Sequence, residues 1–298
     1  MEKPCVVVCL LLTLLAACRP ADGEVGGASA AIQNVGSDTI VNLAVEWAEE
    51  YQEHHPDVRI AVTGGGSGTG IAGLINGAVD IANASRQMKP EELEAAETNG
   101  ITPVEHVIAR DAIAIVIHPS NPVDRLTLQQ LSDIFSGRIT NWSEVEGEDR
   151  PIVLLSRESN SGTHVYFLEH VVRLGDKHAT TLFSPDTLLM PSSEGISAEV
   201  RQNPNSIGYD GLGYVTPDQK TIAVAVNPDG PFVLPKIETV NSGDYPIARD
   251  LYMYTAGEPQ GAIAEYLAWI RSPEGQAIVG DLGFVPLEGG RQIGKLVD

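Results

Sequence analysis

Ala31-Ile32-Gln33-Asn34-Val35-Gly36-Ser37-Asp38-Thr39-Ile40 sets the architecture of this chain. Ala31 to Val35 reads as a strand. Gly36 to Thr39 forms a turn, and Ile40, Leu43, Ala44, Trp47, Ala48 and Tyr51 then fall at helical spacing as one apolar face. The pattern repeats downstream. Val58 to Thr63 is a second strand, and Ile71, Leu74, Ile75 and Ala78 mark a second helix. Asp80 to Ala84 is a short third strand, and Pro90 starts a third helix with Glu91 and Glu92 suited to its first turn. Strand and helix in strict alternation argue for an α/β fold, a parallel sheet with helices on its faces. In such sheets ligands sit at the carboxyl ends of the strands.

Three turns at those ends share one composition. They are Gly36-Ser37-Asp38-Thr39, Gly64-Gly65-Gly66-Ser67-Gly68-Thr69-Gly70 and Ser156-Arg157-Glu158-Ser159-Asn160-Ser161-Gly162-Thr163. A helix N-terminus offers unpaired N–H groups and a partial positive charge, which suits an anion. Hydroxyls add donors, and glycine lets the backbone come close. Thr39, Ser67, Ser161 and Thr163 are the candidate hydroxyl donors. Arg157 is the candidate for a charge-assisted, bidentate contact.

The charge balance limits how such a site works. The 298-residue chain carries 40 acidic and 19 basic residues, a net charge of -21. That surface repels nucleic acid and also a free anion at long range. An anion site must therefore act through short-range hydrogen bonds and a few placed arginines. The excess acid otherwise reads as a solvated face.

The first residues read as a targeting segment. Lys3 supplies a positive start and Val6 to Leu15 an apolar run too short to span a bilayer comfortably. Leu15-Ala16-Ala17-Cys18 resembles a bacterial lipobox, which makes residues 1–17 a signal peptide and Cys18 the lipidated first residue of the mature chain. The alternative is an ordinary signal peptide cut after Ala17 or further on. Cys5 and Cys9 fall inside the signal, so the mature chain has no disulfide framework. Residues 18–30 read as the lipidated Cys and a flexible tether. The expected location is outside the cytoplasm, anchored by lipid to the outer face of the cytoplasmic membrane or in the periplasm.

A short repeat suggests two lobes. Ile108-Ala109-Arg110-Asp111 precedes the apolar strand Ala112 to Ile117, and Ile247-Ala248-Arg249-Asp250 precedes Leu251 to Tyr254. Either the repeat is chance, or both are extended segments crossing between lobes. On the second reading residues 31–110 with 251–298 form lobe 1 and residues 111–250 form lobe 2. Lobe 2 would hold Ile152 to Leu155, the helix after Gly162, Glu194 to Gln202, Ser206 to Tyr209 and Thr221 to Val226. Helices near Gln260 to Ile270 and Pro273 to Gly280 would return to lobe 1.

Other motifs carry less. Gly68-Thr69-Gly70-Ile71-Ala72-Gly73 fits a dinucleotide-binding string but follows the second strand, without a convincing acidic residue about 20 positions on. A serine-hydrolase elbow would need Gly where Thr69 stands. His164 and His170 are six apart, not a one-face metal pair, and no Cys/His cluster has zinc spacing. Trp47, Trp142 and Trp269 read as core or packing residues.

Taken together, Val35 to Thr39, Gly64 to Ile71, Asp80-Ile81-Ala82-Asn83-Ala84-Ser85-Arg86, Ser156 to Thr163, Ser272 to Gln276 and Gly283 to Leu287 resemble the phosphate-binding proteins of bacterial phosphate ABC transporters. The resemblance runs from about Ile32 to Leu287. It implies a two-lobed periplasmic-binding-protein fold of type II, with two mixed, mostly parallel sheets joined by two crossing strands. It implies a solute-binding lipoprotein, monomeric and without cofactor or catalytic residues, that holds inorganic phosphate between the lobes and hands it to a membrane permease.

Carried over by position, the resemblance puts Thr39 and the N–H of Ile40 on phosphate with Ser37 adjacent. It adds Ser67 with Gly68, and Arg157, Ser161, Gly162 and Thr163 from the other lobe. The family pattern has an Asp that accepts the proton of hydrogen phosphate, and here Ser85 stands in its place, followed by Arg86. Asp38 is the candidate replacement acceptor, or else a plain N-cap of the first helix. Arg86 would touch the ligand or pair with a surface acid. The alternatives to phosphate transport are another tetrahedral oxyanion (sulfate, molybdate or tungstate) and a phosphatase or signalling lipoprotein on the same fold.

Overall fold

A computed structural model of the chain describes residues 31–287 and the backbone of 295–296. The signal segment, Cys18 and the tether lie outside the described residues. The chain opens with β1 (Ile32–Gly36), α1 (Asp38–His54), β2 (Ile60–Thr63), α2 (Ser67–Ile75), β3 (Ile81–Ala84) and α3 (Pro90–Thr98). It then enters a long strand, β4 (Val104–Ile117). Beyond it come β5 (Arg125–Thr127), α4 (Leu128–Phe135), β6 (Val153–Arg157), α5 (Gly162–Phe167) and β7 (Leu188–Met190). α6 (Ser193–Gln202), β8 (Ser206–Gly211), β9 (Lys220–Thr221), β10 (Ala223–Ala225) and α7 (Ile237–Asn241) follow. The return path is β11 (Ala248–Thr255), α8 (Gly261–Ile270), α9 (Pro273–Asp281) and β12 (Lys295–Leu296).

The strands lie in the order β2-β1-β3-β11-β4-β8-β6-β7. Pairing is parallel at both ends, where β1 joins β2 and β3, and β6 joins β7 and β8. It is antiparallel in the middle, where β11 joins β3 and β4, and β4 joins β8. The connectivity explains this mixture. The chain leaves the first lobe along β4 and comes back along β11, so the two crossing strands must run in opposite directions. β4 serves both lobes: Val104 to Ala112 pairs with β11, and Ile113 to Ile117 pairs with β8. The two Ile-Ala-Arg-Asp segments pair with each other here, Arg249 opposite Asp111 and Asp250 opposite Arg110.

Each lobe has its own core. In the first, the α1 face of Ile40, Leu43, Trp47 and Tyr51 packs on Ile81, Ile108, Leu251, Met253 and Phe284. In the second, Ile113, Ile115 and Ile117 of β4 pack with Phe135, Trp142, Phe167 and Tyr209. Both buried indoles also have a polar partner, as burial of an N–H requires. Trp47 Nε1 donates to Gly275 O at 2.7 Å and Trp142 Nε1 to Asn205 O at 2.9 Å. Trp269 is partly exposed and packs beside Tyr51 and Tyr266.

Two glycines shape the turns that enter the cleft. Gly36 has φ +145°, and a Cβ there would lie 2.2 Å from Asn83 O. This close approach lets Ser37 N donate to Asn83 O at 2.9 Å, which ties the first turn to the end of β3. Gly66 has φ +92°, and its Cβ would lie 2.9 Å from Asn160 O in the opposite lobe. No side chain fits at either point, within the first lobe at Gly36 or between the lobes at Gly66.

Candidate anion-binding site

The ends of β1, β3 and β6 and the starts of α1, α2 and α5 meet between the lobes. Four hydroxyls converge there. Thr39 Oγ1 is 2.7 Å from Thr163 Oγ1, which is 3.5 Å from Ser85 Oγ. Ser85 Oγ is in turn 3.3 Å from Ser67 Oγ, and Ser85 N donates to that Ser67 oxygen at 3.1 Å. All four residues are buried. Gly162 closes the group from the other lobe, where an added Cβ would lie 2.4 Å from Ser67 Oγ and 2.6 Å from Ser85 Oγ. Three helix N-termini and four hydroxyl donors in so small a volume form a nest for an anion.

Arg249 backs this nest, and sequence reading did not single it out as a site residue. Its Nη2 donates to Thr163 Oγ1 at 3.0 Å and its Nη1 to Ser85 O at 2.9 Å. Because Thr163 Oγ1 accepts from a guanidinium, its own proton is directed elsewhere, toward Thr39 or a ligand. Asp111 holds Arg249 through Nη2 at 2.9 Å and Nε at 3.2 Å. Burial raises the Asp111 carboxyl above the ordinary aspartate range, against the pull of Arg249. Leu212 N donates to the remaining Asp111 oxygen at 2.9 Å. The signal was present in the sequence as the repeated Ile-Ala-Arg-Asp, whose antiparallel pairing sets Arg against Asp.

Other expected site residues have partners that differ from a ligand. Asp38 Oδ2 accepts from Arg157 Nη2 at 2.7 Å, and Asp38 Oδ1 accepts from Gly65 N at 2.9 Å. Nor is Asp38 the N-cap. Ser37 holds that position, without a side-chain cap bond, and Asp38 is the first helical residue. The Ile40 N–H donates to Ser37 O at 3.1 Å, and the Gly68 N–H to Asn160 O at 3.0 Å. Arg86 forms a fork with Glu92, with both N–O distances 2.7 Å. Glu92 is held below the usual glutamate range: bonds from Arg86 and Lys89 N outweigh a larger opposing push from burial. Glu92 also caps α3 by accepting from Lys89 N at 2.8 Å, so one first-turn glutamate serves both the helix start and Arg86.

Arg157 belongs to a latch between the lobes. Besides Asp38, its guanidinium donates to Ser193 Oγ at 3.1 Å and to Pro191 O at 2.9 Å. Asp210 lies behind it on β8. Burial pushes its carboxyl up to about 7, against the pull of Ser193 and Arg157. Asn160 Nδ2 donates across to Gly65 O at 2.9 Å, Asn42 to Glu194 at 3.2 Å, and Tyr214 to Asp38 O at 2.6 Å. Ser161 caps α5 by accepting from His164 N at 3.4 Å. His164 is held below the usual histidine range by burial and meets Ser156 Oγ at 3.0 Å. Among the described residues no group of three His, Cys, Asp or Glu side chains is arranged to hold a metal ion.

Comparison with known proteins gives this geometry a context. The PBP superfamily domain profile matches residues 23–274. The phosphate-binding protein PstS of Pseudomonas aeruginosa is 35% identical over 281 residues, covering 89% of this chain and 85% of that protein. PstS of Bacillus subtilis is 33% identical, covering 87% of this chain and 82% of its own length. Among solved structures, a putative phosphate ABC transporter substrate-binding protein with bound phosphate from Clostridium perfringens superposes with a TM-score of 0.77 at 31% identity, over 87% of this chain and all of that one. Extensive sequence identity, a shared fold and hydroxyl-lined strand ends coincide, and the chain therefore belongs to the PBP superfamily and, within it, to the PstS phosphate-binding proteins.

Proposed function

We propose that this chain captures inorganic phosphate between its lobes and delivers it to an ABC importer. The observation that carries this reading is the convergence of Thr39, Ser67, Ser85 and Thr163 from both lobes on one point. Phosphate accepts these hydroxyls, with Arg249 behind Thr163. Residues 31–110 with 251–298 act as one lobe and 111–250 as the other, hinged at β4 and β11. Closure brings Asp38 onto Arg157 and Asn160 onto Gly65, which excludes water and strengthens every hydrogen bond inside.

With Asp38 engaged by Arg157 and Gly65, the hydroxyls take the role of proton acceptor for hydrogen phosphate, since a hydroxyl both donates and accepts. Cys18 carries the lipid that holds the protein at the outer face of the membrane, and the chain works as a monomer without chemical turnover.

Calorimetric titration of the phosphate-stripped mature chain with phosphate, arsenate and sulfate tests the proposal. Saturable one-to-one binding of phosphate is expected, with hydrolysis of a phosphate ester absent. A flat phosphate titration or steady ester turnover would refute it.

A further inference from the structure

Asp210 lies outside the nest, in the second lobe behind Arg157. It stands on β8 with 1% exposure. Its Oδ1 accepts from Gly211 N at 2.9 Å, while Oδ2 has no hydrogen-bond partner among the described residues. Ser193, the first residue of α6, touches both side chains. Its Oγ accepts from Arg157 Nη1 at 3.1 Å, which leaves its own proton for the Asp210 carboxyl. The titratable and charged groups that face Asp210 are Arg157 from β6, Asp111 from β4 and the Tyr214 phenol from the turn after β8. Asp111 is already paired with Arg249 at 2.9 Å, and Glu194 of α6 is engaged by Asn42 at 3.2 Å. Closure adds Asp38, whose Oδ2 takes Arg157 Nη2 at 2.7 Å. One guanidinium then answers two carboxylates, Asp38 by a direct bond and Asp210 without one. A negative charge is in excess around Arg157 before any anion enters, and a buried charge without a counterion is costly unless it is neutralised.

We infer that Asp210 is a positioning residue that takes up a proton as the lobes close, releasing Arg157 to Asp38 and coupling phosphate capture to pH; the inference rests on the phosphate reading above. With the lobes apart, Asp210 shares Arg157 with no other carboxylate, which favours its ionised form. With the lobes closed, Asp38 claims Arg157 and an anion fills the nest, which favours the neutral form. In the closed arrangement burial pushes the Asp210 carboxyl up to about 7, against the pull of Ser193 and Arg157. The proton is thus held more tightly in the closed form than in the open one. Phosphate affinity is full below the open-form value and is lost as pH rises through the closed-form value.

The test is the calorimetric affinity of the phosphate-stripped mature chain for inorganic phosphate from about pH 6 to about pH 9, in the wild type, Asp210→Asn and Ser193→Ala. Asparagine keeps the shape of the side chain and cannot ionise. The titration of phosphate itself is common to all three proteins, so ratios of Kd isolate Asp210. The Kd of the wild type divided by that of Asp210→Asn rises about tenfold across this range. Ser193→Ala loses a hydroxyl that favours the charged form, so it moves the loss of affinity to higher pH. A ratio of wild type to Asp210→Asn that is flat with pH overturns the inference and leaves the phosphate reading intact. Should Asp210→Asn not fold, a Kd of Ser193→Ala in constant ratio to wild type at every pH overturns it instead. A wild-type chain without saturable phosphate binding overturns both.

Discussion

Replacing Arg249 with Gln removes the only described ion-pair partner of Asp111, a carboxylate with 0% exposure. Breaking a buried pair by deleting one member costs about 3–5 kcal/mol, because the other charge is left without compensation. For a chain of this size that corresponds to a fall of roughly 10 °C in melting temperature. The sign of the pH dependence follows from Asp111. Burial already holds its carboxyl above the ordinary value while Arg249 opposes that shift, so loss of Arg249 raises it further. The folded state then binds more protons than the unfolded state at every pH between the two values. Stability is retained below the unfolded aspartate value and lost as pH rises through the folded one. The deficit of Arg249→Gln relative to wild type is therefore larger at pH 8 than at pH 5. Arg249→Lys keeps the charge but loses the fork to Asp111 and the reach to Ser85 O, so it sits between. Scanning calorimetry at several pH values, on protein stripped of phosphate so that ligand does not add stability, reads all three. A deficit below about 1 kcal/mol, or one that does not change with pH, would refute the reasoning.

Asp38→Asn removes the charge from the latch with Arg157 and should weaken phosphate binding by about 1.5–3 kcal/mol, roughly ten- to hundredfold, while leaving phosphate-to-sulfate discrimination unchanged in calorimetry. Gly162→Ala puts a methyl where the Ser67 and Ser85 hydroxyls stand, 2.4 and 2.6 Å away. An overpacking cost of about 1–3 kcal/mol should appear as weaker phosphate binding with little change in the melting temperature of the unliganded chain. His106 is buried with Nε2 at 2.9 Å from Thr255 Oγ1, and burial holds its imidazole down at about 4. Its unfolded value is higher, so stability is lost as pH falls from about 6.5 toward 4, by roughly 3 kcal/mol. His106→Asn should flatten that part of the urea-midpoint profile.

Local pattern revealed most of the fold. The apolar face of α1 is made of the residues that helical spacing selects, because one face of a surface helix must pack. Turns at strand ends were legible for the same local reason. Partners across long separations were not. Arg86 read as a ligand contact or the partner of a surface acid, and Arg157 as a ligand contact; Glu92 pairs with the first, and Asp38 and Ser193 share the second. Glu92 is six residues from Arg86, so that pair lay within reach of sequence reasoning. Asp38 and Arg157 are 119 residues apart, and only the closed arrangement of the lobes brings them together. Arg249 was missed as a site residue because its role depends on which strand lies beside it. β4 also begins eight residues before the apolar run Ala112 to Ile117, since its first half, which carries Glu105, His106, Arg110 and Asp111, is held in the sheet by pairing with β11.

That strand pair carries a safeguard in its charges. In the observed register Arg249 faces Asp111 and Asp250 faces Arg110. Sliding β11 by one residue in one direction would set Arg249 against Arg110, and in the other direction Asp250 against Asp111. Like charges directly opposite destabilise a strand pair, and a one-residue slip also turns every side chain to the wrong face. The doubled tetrapeptide thus works as a key that fits itself in one alignment and repels its neighbours. Because β4 and β11 are the strands that link the lobes, this key also fixes how far one lobe is advanced along the other. The register of the two hinge strands thus decides whether Thr39 and Thr163 can meet when the lobes close.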